Sequence, residues 1–406
     1  MGKILKKYTR IPEHLYVKRN ADKELEIIIN EMERPGYVLV ARQMGKTNLL
    51  FNAMRTLKND NRLLVYVDLS NAFELERDCY RNIIDNIIEP NENIFGLIEN
   101  KIFEIRNQDL PPNKEYSKSL RVILNHFHGD LIIILDEVDA LRSVKYSDHI
   151  FAQIRSNYFS RTNFPMLDKL TYILSGVIEP SELIKDRNKS PFNIGEKIYL
   201  DDFSYEEHSE FIEKSKLAIS ESDSEYIYSW TNGNPRLTFD ICSEIENLLI
   251  SNKNVNSESI CEVINNKYLV SFDIPPIDHI RELIKSNESA RDAVISIQNG
   301  VNNISDELKK KLYLYGVISS NFNETTVIKN KVISKSLSLA WLSTLDNKSQ
   351  ITFTYGLAQY ENIQYFEAID TFTKIMVGLE ETDLEFQNAT FFLAYSHFHL
   401  KNYEEA

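Results

Sequence analysis

The sequence predicts a parallel α/β domain followed by smaller, wholly helical or mainly helical domains. Five short apolar runs, at 37–41, 63–69, 131–135, 170–174 and 197–200, alternate with helical stretches between about residues 14 and 203. The run LIIIL at 131–135 has no polar position, as a strand covered on both faces by crossover helices requires. After Ser204 the periodicity becomes helical, and after Asn347 it becomes helical and repetitive.

The length of 406 residues suits two to four domains and a sizeable core. Apolar residues make up 43% and charged residues 26%, the balance of a soluble globular chain. No apolar run reaches the length of a membrane span, and no signal-peptide core precedes the first element. Met1-Gly2 is followed by Lys6 where myristoylation expects a hydroxyl. Cys79, Cys242 and Cys261 match no zinc or redox spacing, so free thiols in a reducing cytoplasm are expected, with no membrane partner. The net charge of −14 argues against a chain-wide affinity for nucleic acid. Half of it lies in residues 346–406, which carry three Lys/Arg against ten Asp/Glu.

Taken in order, the first domain runs from about 14 to 203, with Pro111-Pro112-Asn113 read as a loop inside it. Ser204-Tyr-Glu-Glu reads as an N-cap with an acidic first turn, opening a helical segment to about 271. Phe272-Asp-Ile-Pro-Pro276 reads as a linker, because two prolines continue neither element. Residues 277–345 read as two or three helices and then a β-hairpin, GVISSNFNETTVIKNKVIS, which together outline a winged helix. From 348 to 406, Gly356, Ala368 and Phe372 are spaced like the key positions of a tetratricopeptide repeat (TPR). Ala394 and Ala406 recur 38 residues on, a period that a four-residue insertion in the closing turn explains. Such repeats need stacked neighbours, so the expectation is a truncated array or a partner covering its end.

The chemistry is concentrated in two places. VLVARQMGKTNLL at 38–50 ends a phosphate-binding pattern in Gly45-Lys46-Thr47, yet Val40 stands where its first glycine belongs. Lys46 supplies a point charge for β/γ-phosphates, Thr47 a hydroxyl for Mg2+, and the N–H groups of 43–47 a nest for oxyanions. Gly45 carries the closest backbone approach; the first glycine mainly eases the turn, so another residue with an allowed conformation can keep the nest. The second place is LIIILDEVDAL at 131–141, a buried strand ending in Asp136, to hold a water on Mg2+, and Glu137, to orient the attacking water. Alone, each half also reads as an ordinary turn or a solvated strand end. Together they specify a nucleotide site.

These residues resemble the AAA-like ATPase domain family of bacteria, allied to the signal-transducing STAND class of P-loop NTPases. The resemblance covers roughly 15–345 and rests on LYVKRNADKEL (15–25), ARQMGKTNLL (41–50), RSNYFSRTNFPMLDKLTYILSGVIEPSELI (155–184) and SPFNIGEKIYLDDFS (190–204). It implies an ASCE-type P-loop ATPase core at 14–203, a helical lid at 204–271 and a winged helix at 277–345, with Val40 a family trait. It implies that the backbone of Tyr16 and Val17 cradles adenine and that Gln43, Met44, Gly45, Lys46, Thr47 and Asn48 contact the nucleotide. It places Ser175 as the γ-phosphate sensor. TNGNPRLTF at 231–239 resembles the lid turn, bringing Pro235 toward base and sugar and Arg236 toward a phosphate. Arg155 and Arg161 become candidate arginine fingers in an oligomer, unless acids within the fold hold them.

Lys309, Lys310 and Lys311 would suit a DNA-reading helix, but 277–345 carries only nine Lys/Arg against seven Asp/Glu. DNA is therefore the less favoured partner. Tyr355, Tyr360, Phe366, Phe372, Phe391, Phe392, Phe398 and Tyr403 read mainly as repeat core, and His126/His128 and His397/His399 as hydrogen-bonded or solvated histidines. The expectation is a cytoplasmic ATPase that binds ATP and Mg2+ and turns over slowly as a STAND-type switch. A protein or peptide ligand of the repeats would drive homo-oligomerisation, in antiviral defence or regulation. A DNA-transacting ATPase and a nucleotide-stabilised TPR scaffold are the alternatives.

Overall fold

The computed structural model describes residues 2–71, 73–184, 186, 190–301, 304–320, 325–346, 353–361, 365–376, 379 and 382–400. They form two compact units, Met1–Ser336 and Leu337–Ala406. All five apolar runs become strands: β1 (Gly36–Leu39), β2 (Arg62–Asp68), β3 (Asp130–Asp136), β4 (Leu170–Gly176) and β5 (Glu196–Lys197). They pair in parallel in the order β2-β3-β4-β1-β5. β3 explains its own composition. Leu131, Ile133 and Leu135 enter the core cluster that holds Ile83, Leu120 and Phe151, while all of 131–135 is fully buried. Ile132 and Ile134 necessarily face the other side of the pleat, so neither face leaves room for a polar stripe. Burying each such side chain is worth about 1.5–3 kcal/mol. β5 is shorter than expected, although Ile198 N still donates to Tyr37 O at 2.8 Å before the chain turns away toward Asp201 and Asp202.

The order puts β1, β3 and β4 in the middle of the sheet, so the loop after β1 and the ends of β3 and β4 share one edge. The loop runs into the helix Lys46–Leu57, capped by Gly45 in the left-handed region and anchored by buried Leu49, Leu50 and Ala53. Pro111-Pro112, expected in a loop, instead starts the helix Pro112–His126, with Pro112 at its first position where a missing N–H costs nothing. Residues beyond 204 are helical as expected: Tyr205–Ser215, capped reciprocally by Ser204 and Glu207, then Glu221–Thr231, Pro235–Ile250 and Ser257–Ile264.

Helices Ile277–Ser286, Glu288–Gln298 and Asp306–Leu314 follow. The expected hairpin at 316–334 is corrected in its second half: Lys331–Ser336 is a helix, begun by Asn330 Oδ1 accepting from Ile333 N at 2.9 Å. The residues VIKNKVIS fit both periodicities, and burying Val332 and Ile333 together on the helix decides between them. No described residue of 316–334 lies in a strand, but Lys329 N donates to Val317 O at 2.9 Å. The first unit ends at Ser336, inside the segment read as 277–345.

The second unit holds the helices Leu339–Asp346, Phe353–Glu361, Tyr365–Met376 and Leu384–His399. Ala368, Phe372, Ile375 and Ala389 form its core, with Phe353, Tyr360 and Phe392 against it. A Cβ at Gly356 would sit 2.7 Å from Phe372 Cε1, so this pair of positions tolerates only glycine without rearrangement. Phe366, Phe391 and Phe398 are exposed, although the Phe391 ring meets those of Phe392 and Tyr395 and the Phe398 ring that of His399. His399 stacks on Tyr365 and shares a hydrogen bond with the Tyr360 hydroxyl. The Tyr355 side chain, Tyr403 and Ala406 lie outside the described residues. No helix among the described residues is long and apolar enough to cross a membrane.

Candidate functional site

Val40 needs no glycine because the turn comes later. It continues β1 as a buried residue, its N–H donating to Gly176 O at 3.3 Å. The left-handed conformations fall on Gln43 (φ 62°) and Gly45 (φ 91°) instead. Lys46 is buried and donates from Nζ to Val40 O and Ala41 O, each at 3.0 Å. Burial lowers its pKa to about 8, against the opposing pull of Glu137, Asp136 and Asp139.

The strand side converges on the same point. Thr47 Oγ1 donates to Asp136 Oδ2 at 3.2 Å, and the Tyr66 hydroxyl donates to the same oxygen at 2.9 Å. Glu137 N donates to Asp136 Oδ1 at 3.0 Å. Glu137 itself sits at φ 56°, and burial raises its pKa, with Asp139 and Asp136 adding to the shift and Lys46 and Arg42 opposing it. Ser175, fully buried on β4 opposite Val38, has an Oγ with no hydrogen-bond partner. The hydroxyl of Thr47 and the carboxylate of Asp136 are hard oxygen donors on one spot, a set that suits Mg2+.

A family model described as the AAA-like domain matches residues 6–329. The chain belongs to the AAA-like domain family. A curated relative, an uncharacterized WD repeat-containing protein of Synechocystis sp., is 30% identical over 244 residues. The match takes in 58% of this chain and 20% of that protein, so the chain spans about a fifth of the relative's length. Among solved structures, the Walker-type ATPase PABY2304 of Pyrococcus abyssi aligns with a TM-score of 0.56 at 15% identity, over 82% of this chain and 99% of its own. The ORC2 protein of Aeropyrum pernix, solved as ADPNP and ADP complexes, aligns with a TM-score of 0.51 at 13% identity, over 84% and 96%. At these identities the likeness establishes the fold, that of the P-loop ATPases.

Around this AAA-like core the remaining candidates are placed as follows. Tyr16 and Val17 are buried; the Tyr16 hydroxyl donates to Asp22 at 2.9 Å, and Lys214 Nζ on the helix Tyr205–Ser215 donates to Tyr16 O at 2.6 Å. Asn48 Oδ1 accepts from Ile11 N at 2.9 Å, so the leading segment crosses the start of the loop helix. Met44 is buried, its Sδ 3.7 Å from Asn234 Nδ2. Pro235 opens the helix Pro235–Ile250 after Gly233, whose added Cβ would lie 2.0 Å from Phe203 O, so the turn is fixed against the segment leading into the helix Tyr205–Ser215.

The three arginines are held elsewhere. Arg236 Nε donates to Asp240 at 2.8 Å on the surface of the helix Pro235–Ile250. Arg155 reaches Ser190 O at 3.4 Å and lies over the Phe159 ring. Arg161 donates to Glu33 O and Leu170 O at 2.8 and 2.7 Å, at the end of β4 away from Ser175. Their partners are carbonyls and rings for Arg155 and Arg161, and an acid one helical turn away for Arg236.

Sequence reading missed Arg19, Tyr66, Asp139, Asp202 and Lys329. Arg19 was within reach, since it sits in LYVKRN and its Nη1 donates to Met44 O at 2.9 Å. Asp139 Oδ1 accepts from Val177 N at 3.0 Å, tying the turn after β3 to the end of β4. A cavity of about 350 Å³ opens beside the loop between Arg19, Met44, Asp202, Phe203, Tyr313 and Lys329.

Proposed function

We propose that this protein is an ATP-dependent switch of the STAND kind, in which the AAA-like domain binds and slowly hydrolyses ATP. The observation that carries the reading is the Thr47–Asp136 hydrogen bond, which joins the phosphate loop and the acid pair at one point. Lys46 would leave the Val40 and Ala41 carbonyls to meet the β- and γ-phosphates, and the N–H groups of 43–47 would bind the oxyanions. Thr47 and Asp136 would hold Mg2+, whose charge offsets that of the phosphates when bound. Tyr66 would orient the Asp136 carboxylate. Glu137 would take a proton from the attacking water; its raised pKa makes it a stronger base than an exposed carboxylate. Ser175, with a buried hydroxyl lacking a partner, would donate to the γ-phosphate or to that water.

Residues 277–336 would close the resting state, and the helical unit beyond 337 would sense a protein or peptide, leading to homo-oligomerisation in antiviral defence or regulation. Support comes from the Gly356–Phe372 fit and from a relative that carries another repeat, the WD repeat. Calorimetric titration with Mg-ADP and Mg-ATP tests the nucleotide site. Lys46→Ala should weaken both by about 30-fold or more, since a buried charged contact is worth about 2–5 kcal/mol. Equal affinity in that variant and the parent would end the reading. A DNA-transacting role is the second reading, favoured by Lys309, Lys310 and Lys311 on the helix Asp306–Leu314. It requires salt-dependent duplex binding that is lost when the three lysines become alanine.

A further inference from the structure

We infer that Lys329 is a positioning residue for the phosphate loop, and that it makes nucleotide affinity depend on docking of the 277–336 segment. The inference rests on the reading of 40–47 as a phosphate loop. That loop has one glycine, Gly45, and takes its other left-handed conformation at Gln43, a residue with a side-chain penalty there. What holds its shape comes from outside. Arg19 Nη1 donates to Met44 O at 2.9 Å and to Asp201 O at 3.1 Å, fixing the peptide just before Gly45 to the segment after β5. On the other side of Met44, Lys329 Nζ lies 3.3 Å from the thioether sulfur and 3.0 Å from Asp202 Oδ2.

The Asp202 carboxylate also accepts from Asn234 Nδ2 at 3.0 Å, and Asn234 is the cap of the lid helix. One ion pair, its lysine buried and its carboxylate mostly so, therefore joins the 277–336 segment, the segment after β5 and the lid, all against Met44. Two more bonds seat the same stretch: Asn232 Nδ2 donates to Lys329 O at 2.9 Å, and Ser320 Oγ donates to Asp201 at 2.6 Å. Gly316, at φ 80°, brings its backbone so close that an added Cβ would lie 3.2 Å from Ala41 Cβ, inside the loop itself.

A buried charge cannot stay where it is once its partner leaves. If the segment carrying Lys329 swings away, Asp202 must turn to water, and Asn234 and Met44 lose their neighbour with it. The nest of N–H groups then loses its outer support. The same coupling runs backwards: nucleotide that orders the loop must favour the docked segment by an equal factor.

The test is calorimetric titration of Mg-ADP into the full chain carrying Lys329→Met, Asp202→Asn, or both. Each single change should weaken binding by about tenfold, within the usual range of such couplings, and the double change should cost less than the product of the two. Lys331→Met, which removes a solvent-facing lysine at the start of the helix Lys331–Ser336, 3.4 Å from Ser229 Oγ of the helix Glu221–Thr231, should leave affinity unaltered. Hydrogen exchange supplies a reading that a merely structural role would not move. In the unaltered protein Mg-ADP should slow exchange of the Lys329 amide, and Lys46→Ala should abolish that protection. This measurement needs no Lys329 variant to fold. Parent-like affinity in Lys329→Met, an equal loss in Lys331→Met, or a Lys329 amide indifferent to Mg-ADP would each overturn the inference. Absence of any Lys46-dependent binding in the parent would instead overturn the nucleotide site itself.

Discussion

Strand β3 and the loop after β1, which meet at the Thr47–Asp136 hydrogen bond and supply the two halves of the proposed nucleotide site, are held in different ways. Asp136 stands at the end of a strand whose every preceding side chain from 131 is buried, and its oxygens are occupied by Thr47, Tyr66 and the N–H of Glu137. Its position follows from residues close by in the sheet. The loop takes its shape from Arg19, Asn234 and Lys329, which approach Met44 from three separate stretches of the chain. The strand half is therefore suited to fixed chemistry, and the loop half to an affinity that other parts of the chain can set.

This contrast is sharpest in its effect on turnover. Glu137→Gln should lower ATP hydrolysis by about 10²–10⁴-fold, the usual worth of a general base, while Mg-ATP affinity stays within a few-fold of the parent. Phosphate-release kinetics beside equilibrium binding measure the two quantities separately. A variant that loses binding and turnover together would mean that the strand half is not confined to chemistry.

Acidity gives the next effect, and it belongs to the loop half. Lys46 has an ordinary value of 10.5 that burial lowers to about 8. Above pH 8 the nucleotide-free protein loses this proton, whereas phosphates in the complex would retain it. Binding then takes up a proton, and Mg-ADP affinity should fall by up to about tenfold per pH unit above 8 while staying level just below it. Folding stability has the opposite slope. Between about 8 and 10.5 the unfolded chain holds more protons at this group, so the nucleotide-free fold gains stability from it as pH rises. Lys46→Arg, whose charge does not titrate here, should bind with no break at pH 8.

The same contrast decides what could be read from the sequence. LIIILDE was legible because a strand buried on both faces has a composition few other elements share, and a pair of acids closing it stands out. Gly45-Lys46-Thr47 was legible because the chemistry needs those types in that order. Val40 was a puzzle only while the turn was assumed to begin there; the structure moves it to Gln43, a shift no spacing rule encodes. VIKNKVIS was misread because alternation and helical spacing fit it equally, and only the burial of neighbouring Val332 and Ile333 separates them. Lys329 was out of reach. It is one of nine cations in its segment, and its partner Asp202 lies more than a hundred residues earlier. Long-range ion pairs leave no local pattern.

The smallest effect asks how much strain the loop itself stores. Gln43 is in the left-handed region with its Oε1 buried and unpartnered, so its side chain gains little there. Gly45 shares the left-handed conformation at no such cost, but an added Cβ would meet Arg19 Nη2 at 2.9 Å. Gln43→Gly removes the steric penalty of the folded state and adds chain entropy to the unfolded one, two terms of about 1 kcal/mol each and of opposite sign. Thermal midpoints should therefore move by only a few degrees. Affinity is the more telling quantity. If outside contacts hold the loop, as Arg19 and Lys329 suggest, Gln43→Gly should leave Mg-ADP binding within about threefold of the parent. Combined with Lys329→Met, the same glycine should deepen the loss, because a more flexible loop depends further on its outer supports. Equal losses with and without the glycine would mean that the clamp acts independently of the backbone preference at residue 43.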